Sequence, residues 1–380
     1  MNINNKKIYY WSPALDKVAT CKAVINSVYA FNKYSKKYKV YLINVCGEWN
    51  YYKDEIHEKK INLFQLNNNY FRFLFKTGYI FSRISYLMIF TLSFFKLSIF
   101  IKEKKPDYLI AHLITSLPLI LFCLFKFDTK LILRISGLPK LNIFRKALWK
   151  ISDKFLYKIT CPTEETKNLL IQQGIFSKHK IHLIRDPIIE ISKIKRMKAN
   201  KIPENLHKDY LLAAGRLTKQ KNQILLIKLI KNISLINPSI KLIILGDGEK
   251  KNFLLREIKK EKLNNNIELL GYQKNIFKYF KYCKCFISTS LWEDPGFVMI
   301  EAAASNTFII SSDCSSGPKE FIGKNNGLLF KNNDLSDLIN TYKIFQSMKL
   351  IDISKKITNA KRESKKYSIF SHYKELTKIL

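Results

Sequence analysis

The sequence predicts two α/β domains, each a doubly wound parallel sheet. Three observations carry that prediction. Short apolar runs alternate with amphipathic helical segments from the first residues onward; the alternation halts in a polar interval around 190–209; and it then restarts with similar spacing. A chain of 380 residues is long enough for two separate cores.

In the first half, Lys7 to Trp11 reads as a strand, Ser12 to Lys17 as a loop, Val18 to Tyr34 as an amphipathic helix and Val40 to Cys46 as a second buried strand. Residues 70–102 are unusually apolar and aromatic, yet Arg72, Lys76, Arg83 and Lys96 interrupt them. No 18-residue window there is free of charge, so helices packed on a sheet are expected rather than a membrane span. The sharper alternative is that the basic and aromatic positions dip into a bilayer surface. Tyr108 to Ile114 reads as a strand carrying His112 near its C-terminal end, where ligands of open α/β sheets bind. Ser116 to Phe127 reads as a buried helix, Lys130 to Ile135 as a strand ending in Ser136-Gly137, and Lys158 to Pro162 as another strand. A helix over Glu164 to Gly174, closed by glycine, and a strand over Ile181 to Ile189 complete this half. Charge rises from Glu190 to Asp209, and the linker is expected there.

The second half reads as strand Tyr210 to Ala214, polar loop 215–222, helix Gln223 to Ile236, and strand Ile240 to Leu245 ending in Gly246-Asp247-Gly248. Helix Lys250 to Glu261, strand Ile267 to Leu270 and helix Ile276 to Tyr282 follow. Domains are thus expected at 1–190 and 191–366, facing one another across a cleft, with a last helix at 367–380.

The stretch from Cys285 to Gly317 organises the chemistry. It reads as a buried strand, a loop carrying Glu293, a helix opened by Pro295 and Gly296, and a strand over Thr307 to Ser312. Proline suits a first helical turn, glycine lets a ligand approach the backbone, and the amides of Gly296, Phe297 and Val298 face an anion. Glu293 and Glu301, with seven residues between them, are expected to line one crevice, where a carboxylate deeper in the helix accepts hydrogen bonds from a sugar or ribose diol. A nucleotide diphosphate sugar offers both groups. Two glutamates at this spacing also arise by chance in helical proteins, so the pair gains weight from its surroundings. Arg216 and Lys221, just past a strand end, are candidates for a diphosphate, one as a fork and one as a point charge. Gly246 opens a tight turn that serves equally as a phosphate loop or as a plain turn.

Several classes are excluded. A P-loop, a G-x-G-x-x-G fingerprint and a nucleophile elbow are all missing from the sequence, which counts against kinase, hydride and serine-hydrolase chemistry. No D-x-D pair for a divalent ion occurs, and no metal ligand set or cofactor is expected. The net charge of +36 invites a nucleic-acid reading, but arginine stands at only nine positions and no base-reading motif occurs, so an anionic membrane surface is the better partner. Seven cysteines in apolar runs read as reduced core thiols. No signal peptide is read at the N-terminus, and a cytoplasmic location is expected.

AAGRLTKQKN, LIILGDGEKKNFLLREI, IELLGYQ, STSLWEDPGFVMIEAAAS, SSDCSSGPKEFI and NGLLF, in this order and spacing, resemble the nucleotide-binding domain of retaining family 4 (group 1) glycosyltransferases of GT-B fold. The resemblance implies that Glu301 holds ribose hydroxyls, Arg216 and Lys221 the diphosphate, and Gly271, Tyr272 and Gln273 the base region. It implies that Glu293 meets the transferred sugar, that Gly296, Phe297 and Val298 face phosphate or sugar, and that His112 reaches the donor sugar. SSDCSSGPKEF is similar to members that build bacterial surface polysaccharide, O-antigen or capsule, on a polyprenyl diphosphate lipid. A metal-independent transfer of a hexose or N-acetylhexosamine from a UDP-sugar, at the inner face of the plasma membrane, is what that likeness implies.

The sequence departs from the family where Ser12-Pro13-Ala14-Leu15-Asp16 replaces a glycine-rich loop, where Asp294-Pro295 stands in place of the common Gly-Phe, and at Arg185-Asp186-Pro187. Two rival functions compete with the transferase: a nucleotide-sugar 2-epimerase on the same fold, and a basic membrane- or RNA-binding protein with a vestigial cleft.

Overall fold

The computed structural model describes residues 5–16, 18–75, 79–137, 141–203, 206 and 208–380. Lys17, Lys76 and three positions of the expected linker therefore lie outside the described residues. The chain divides into two compact units, Met1–Pro187 with Ile369–Leu380, and Ile188–Ser368.

In the first unit the elements run β1 (Lys6–Trp11), α1 (Ala19–Tyr34), β2 (Tyr38–Asn44), α2 (Lys53–Glu58), β3 (Asn62–Gln65), α3 (Tyr79–Lys104), β4 (Tyr108–Ala111), α4 (Ser116–Leu124), β5 (Lys130–Arg134), α5 (Ile143–Ser152), β6 (Leu156–Cys161), α6 (Glu164–Gln172) and β7 (Ile181–Leu183). The strands form a parallel sheet in the order β3-β2-β1-β4-β5-β6-β7. Alternate side chains of one strand serve opposite faces: Tyr9 and Trp11 join one apolar cluster, Ile8 and Tyr10 the other. Strands buried on both faces need continuous apolar runs, which is why they were legible as such.

The second unit runs α7 (Ile191–Lys198), β8 (Tyr210–Ala214), α8 (Ile224–Ser234), β9 (Leu242–Leu245), α9 (Lys251–Lys260), β10 (Ile267–Gly271), α10 (Phe277–Phe280), β11 (Cys283–Ser288), α11 (Phe297–Ala304), β12 (Ile309–Ser312), α12 (Gly317–Ile322), β13 (Leu328–Phe330), α13 (Leu335–Ser347) and α14 (Leu350–Ser364). Its sheet, also parallel, has the order β10-β9-β8-β11-β12-β13. After Ser368 the chain returns to the first unit as α15 (Ile369–Thr377), where Tyr373 packs edge-on against Phe31 of α1.

Two expectations are corrected. The polar interval after Glu190 contains a helix, α7, whose Ile194 is buried and whose basic residues crowd its C-terminal end, where they favour the helix dipole. The strand expected over 181–189 ends at Leu183. Asp186 lies buried against Arg134, and Pro187 restricts the residue before it and supplies no N–H for a ladder.

Candidate functional site

The second sheet reverses winding between two neighbouring strands. From β8 the chain passes through α8 to β9 on one side; from β11 it passes through α11 to β12 on the other. Loops leaving such a pair diverge, and the crevice they open is where open α/β sheets bind ligands. Both motifs singled out from the sequence lie here, 215–223 after β8 and 289–296 after β11.

The two loops are bonded to one another. Thr289 Oγ1 donates to the carbonyls of Lys221 and Asn222, each at 3.0 Å, and the amide of Leu291 donates to the carbonyl of Gln220 at 2.8 Å. Gln220 Nε2 donates to the carbonyl of Trp292 at 2.8 Å. On that frame Lys221 Nζ meets Glu293 Oε1, which also accepts from Ser290 Oγ at 2.6 Å. The Asp294-Pro295 peptide is cis, and Gly296 caps α11 at φ 91°, a left-handed conformation that glycine adopts without strain. A small cavity is lined by Lys221, Glu293, Gly296, Val298, Met299 and Pro318.

Glu301 is buried on α11 and is not among the residues lining that cavity. It sits three residues beyond Val298, so it shares that helix face about 4.5 Å further along. Arg216 is exposed, and its carbonyl accepts from Gln223 Nε2 at 3.0 Å.

Neighbouring strand ends close the floor. The amide of Gly215 donates to Leu245 O at 2.9 Å and that of Gly246 to Gly271 O at 2.8 Å, linking the ends of β8, β9 and β10. A Cβ on Gly246 would lie 1.9 Å from the carbonyl oxygen of Gly215, so only glycine allows this approach. At Gly317 a Cβ would lie 1.9 Å from the carbonyl oxygen of Pro295. Tyr272 is exposed past β10, while Gln273 is tied down between Leu270 O and the Tyr279 hydroxyl, at 2.9 and 3.0 Å.

The first unit has its own switch point, between β1 and β4. Trp11 pairs with Ala111, so Ser12 and His112 leave adjacent strands together, and Ser136 follows β5 on the far side of β4. Among the described residues, Ser12 Oγ, His112 Nδ1 and Ser136 Oγ are buried without a hydrogen-bond partner. Burial, then Arg134, then His372 hold the His112 imidazole well below its usual range. Beneath lies a satisfied network. Arg134 pairs with Asp186 and donates to Ile184 O at 2.6 Å. His372 Nδ1 donates to Arg185 O at 2.7 Å, which leaves Nε2 to accept from Ser27 Oγ at 2.7 Å; Ser27 in turn accepts from Tyr10 at 2.7 Å.

The structure therefore gathers Lys221, Glu293, Gly296 and Val298 around one cavity, leaves Arg216 and Tyr272 exposed, and places His112 in the other unit. Ser290, Met299 and the hydroxyls of Ser12 and Ser136 are the residues that the sequence reading missed. For Ser12 and Ser136 the only signal is a hydroxyl directly after an apolar run; Ser290 and Met299 carry none. Among the described residues no group of three His, Cys, Asp or Glu is arranged to hold a metal ion.

Comparison with known proteins gives concordant results. Residues 195–364 match the family Glycosyl transferases group 1. An uncharacterized glycosyltransferase of Methanocaldococcus jannaschii is 36% identical over 248 residues, 60% of this chain and 61% of that protein. The N-acetylgalactosamine-N,N'-diacetylbacillosaminyl-diphospho-undecaprenol 4-alpha-N-acetylgalactosaminyltransferase of Campylobacter jejuni is 28% identical over 247 residues, 63% of this chain and 64% of that enzyme. The chain thus spans less than two thirds of the length of either relative. In three dimensions, a glycosyltransferase of Rickettsia africae superposes with TM-score 0.77 at 18% identity, over 99% of this chain and 98% of that one. Anabaena HepE in complex with UDP gives TM-score 0.74 at 14% identity, over 98% of both chains. Two Rossmann-like units on parallel sheets match the GT-B fold, and residues 195–364 match the Glycosyl transferases group 1 family.

Proposed function

We propose that the protein is a retaining glycosyltransferase that moves a hexose or N-acetylhexosamine from a UDP-sugar to a polyprenyl-diphosphate-linked glycan, in O-antigen or capsule synthesis. The observation that carries this reading is the cavity at the β8/β11 switch point, where a lysine, a glutamate and a helix N-terminus converge. A diphosphate suits the helix end and the two cations Arg216 and Lys221, and a diol suits Glu301. Gly271, Tyr272 and Gln273 are assigned to the base, Glu293 and His112 to the transferred sugar, and Phe297 and Val298 to phosphate or sugar. UDP in Anabaena HepE supports a uridine donor, and the Campylobacter enzyme's diphospho-undecaprenol acceptor supports a lipid-linked one.

In the proposed transfer the acceptor hydroxyl attacks the anomeric carbon on the face the diphosphate leaves. The new C–O bond forms as the anomeric C–O bond to phosphate breaks, and the hydroxyl proton passes to the departing phosphate oxygen. Arg216 and Lys221 stabilise the charge that builds there, so that no metal is assigned to the step. The site of action is the cytoplasmic face of the plasma membrane.

Calorimetry with UDP, GDP and dTDP tests the donor. Selective UDP binding that Glu301→Gln abolishes is expected. Binding of another nucleotide instead changes the donor, and no binding of any of the three overturns the reading. Product analysis then decides the reaction: conversion of UDP-sugar without acceptor would mean epimerisation.

A further inference from the structure

Helix α3 is apolar on both its buried and its exposed side. Its inward stripe carries Ser85, Ser93 and Ser98, buried along with Ile89, Leu97 and Ile101. Ser93 Oγ accepts from Asn67 Nδ2 at 2.9 Å and Ser85 Oγ donates to Phe75 O at 3.0 Å, so these hydroxyls are satisfied internally. Its outward stripe carries apolar side chains of the same size as the buried ones. Ile80 is 68% exposed, Leu87 62% and Phe95 71%, with Ile84, Leu92 and Ile99 also on the surface. Thr91, on the same outward side, turns its hydroxyl back onto Leu87 O at 3.0 Å. A helix facing water on that side would carry polar side chains there.

The charges around this face are mostly basic, with Glu103 at the end of α3 the nearest acid along the helix. Residues 59–102 contain no aspartate or glutamate, whereas Arg83 and Lys96 lie exposed on the outward side of the helix. Helix α4 packs against both α3 and α5 in the same helical layer. At the start of α5, Ile143 is 83% and Phe144 86% exposed, followed by Arg145 and Lys146, and residues 129–152 again carry no acid. A protein partner of ordinary surface would present both signs of charge. An anionic bilayer presents apolar chains beneath a negative surface, and it is the occupant that an apolar face with a basic excess matches.

We propose that the outward faces of α3 and the first turn of α5 insert into the interface of an anionic membrane, with α3 lying along the surface. The helix is long and apolar enough to span a bilayer by composition. Its inward residues Leu97, Phe100 and Ile101 are nevertheless part of the first unit's core, and crossing the membrane would strip them from it. This inference is independent of the sugar-transfer reading, because it is read out by lipid binding alone.

The test uses the full chain and vesicles of phosphatidylcholine with or without phosphatidylglycerol. Sedimentation with the anionic vesicles is expected, and Leu87→Gln with Phe95→Gln lowers the partition by about tenfold or more. Both positions are exposed and glutamine keeps helix propensity, so circular dichroism stays unchanged. Leu350→Gln with Ile351→Gln, equally exposed on the second unit, leaves binding intact. In Phe95→Trp protein, acyl-chain bromines quench the new tryptophan. Unchanged binding in the Leu87/Phe95 double variant, or no quenching in the bound protein, overturns the proposal. So does a self-associated protein that ignores vesicles and becomes monomeric when those two residues are changed.

Discussion

Lys221 and Glu293 form an ion pair between the two loops that leave the switch point of the second sheet, and both side chains are largely buried. The cation assigned to a diphosphate is thus held by the acid assigned to the sugar. A bound anion would have to share Lys221 with Glu293, so the pair sets how strongly an anion is drawn in. Removing one partner of a buried pair costs more than removing both, because the survivor is left charged and unpaired.

Lys221→Met is therefore expected to destabilise the second unit by about 2 kcal/mol, and adding Glu293→Gln recovers most of that loss. Urea unfolding of the four proteins of the cycle measures the coupling. Calorimetry on the same proteins separates the roles: UDP affinity lost in both lysine variants assigns Lys221 to the diphosphate, whereas affinity retained within about twofold makes it structural only.

The glycines of the floor make a second expectation. A methyl group at Gly246 meets the Gly215 carbonyl, and one at Gly317 meets the Pro295 carbonyl, each at a distance no atom pair tolerates. Backbone on both sides must move. Gly246→Ala and Gly317→Ala are each expected to cost about 2–3 kcal/mol and to weaken nucleotide binding, since the displaced loops carry Arg216, Glu293 and Gly296. Gly174→Ala supplies the control, because its Cβ meets nothing within 4 Å and only its φ of 59° is strained.

What the sequence disclosed follows from which forces are local. Buried parallel strands are apolar at every position, so the core strands of both sheets were read within a few residues, and the motif residues 215–223 and 289–301 fell where their strand ends predicted. Helices α13 and α14 were not assigned because Leu335 to Ser364 mixes lysines, serines and isoleucines, and its apolar face is defined only by the sheet it covers. The same holds for α7, whose charge masked a single buried isoleucine. The Lys221–Glu293 pair joins residues 72 positions apart, and nothing in either motif taken alone specifies it.

Acid should act first on the first unit. Burial pushes His372 down to about 3, outweighing the Arg185 carbonyl that favours its charged form, with Arg134 adding to the depression. A free histidine titrates near 6.5. Between those values the unfolded chain binds a proton that the folded unit refuses, so stability is full above about 6.5 and falls as pH drops, by up to about 1.4 kcal/mol per pH unit. His112, also depressed, adds loss of the same sign. Trp11, Trp49 and Trp149 are buried in this unit and Trp292 lies half-exposed in the other, so tryptophan emission of a Trp292→Phe background during urea unfolding reports the first unit. The expected result is a lower midpoint at pH 5 than at pH 7, with a smaller difference in His372→Gln; equal differences would remove His372 as the cause.

Ser12 and Ser136 carry the last expectation. Each hydroxyl is buried without a partner among the described residues, and an unpaired buried hydroxyl costs stability that alanine does not. For purely structural serines the change to alanine would be neutral or stabilising and nothing else would follow. These two instead stand past the ends of β1 and β5, on either side of β4 and His112, at the switch point where a sheet binds ligand. A sugar hydroxyl placed there would satisfy them, and its loss would leave the ligand's own polar group unpaired. Ser12→Ala and Ser136→Ala are therefore expected to hold or raise the unfolding midpoint while lowering kcat/KM for sugar transfer by about tenfold each. Activity unchanged in both variants would show that the hydroxyls face no substrate.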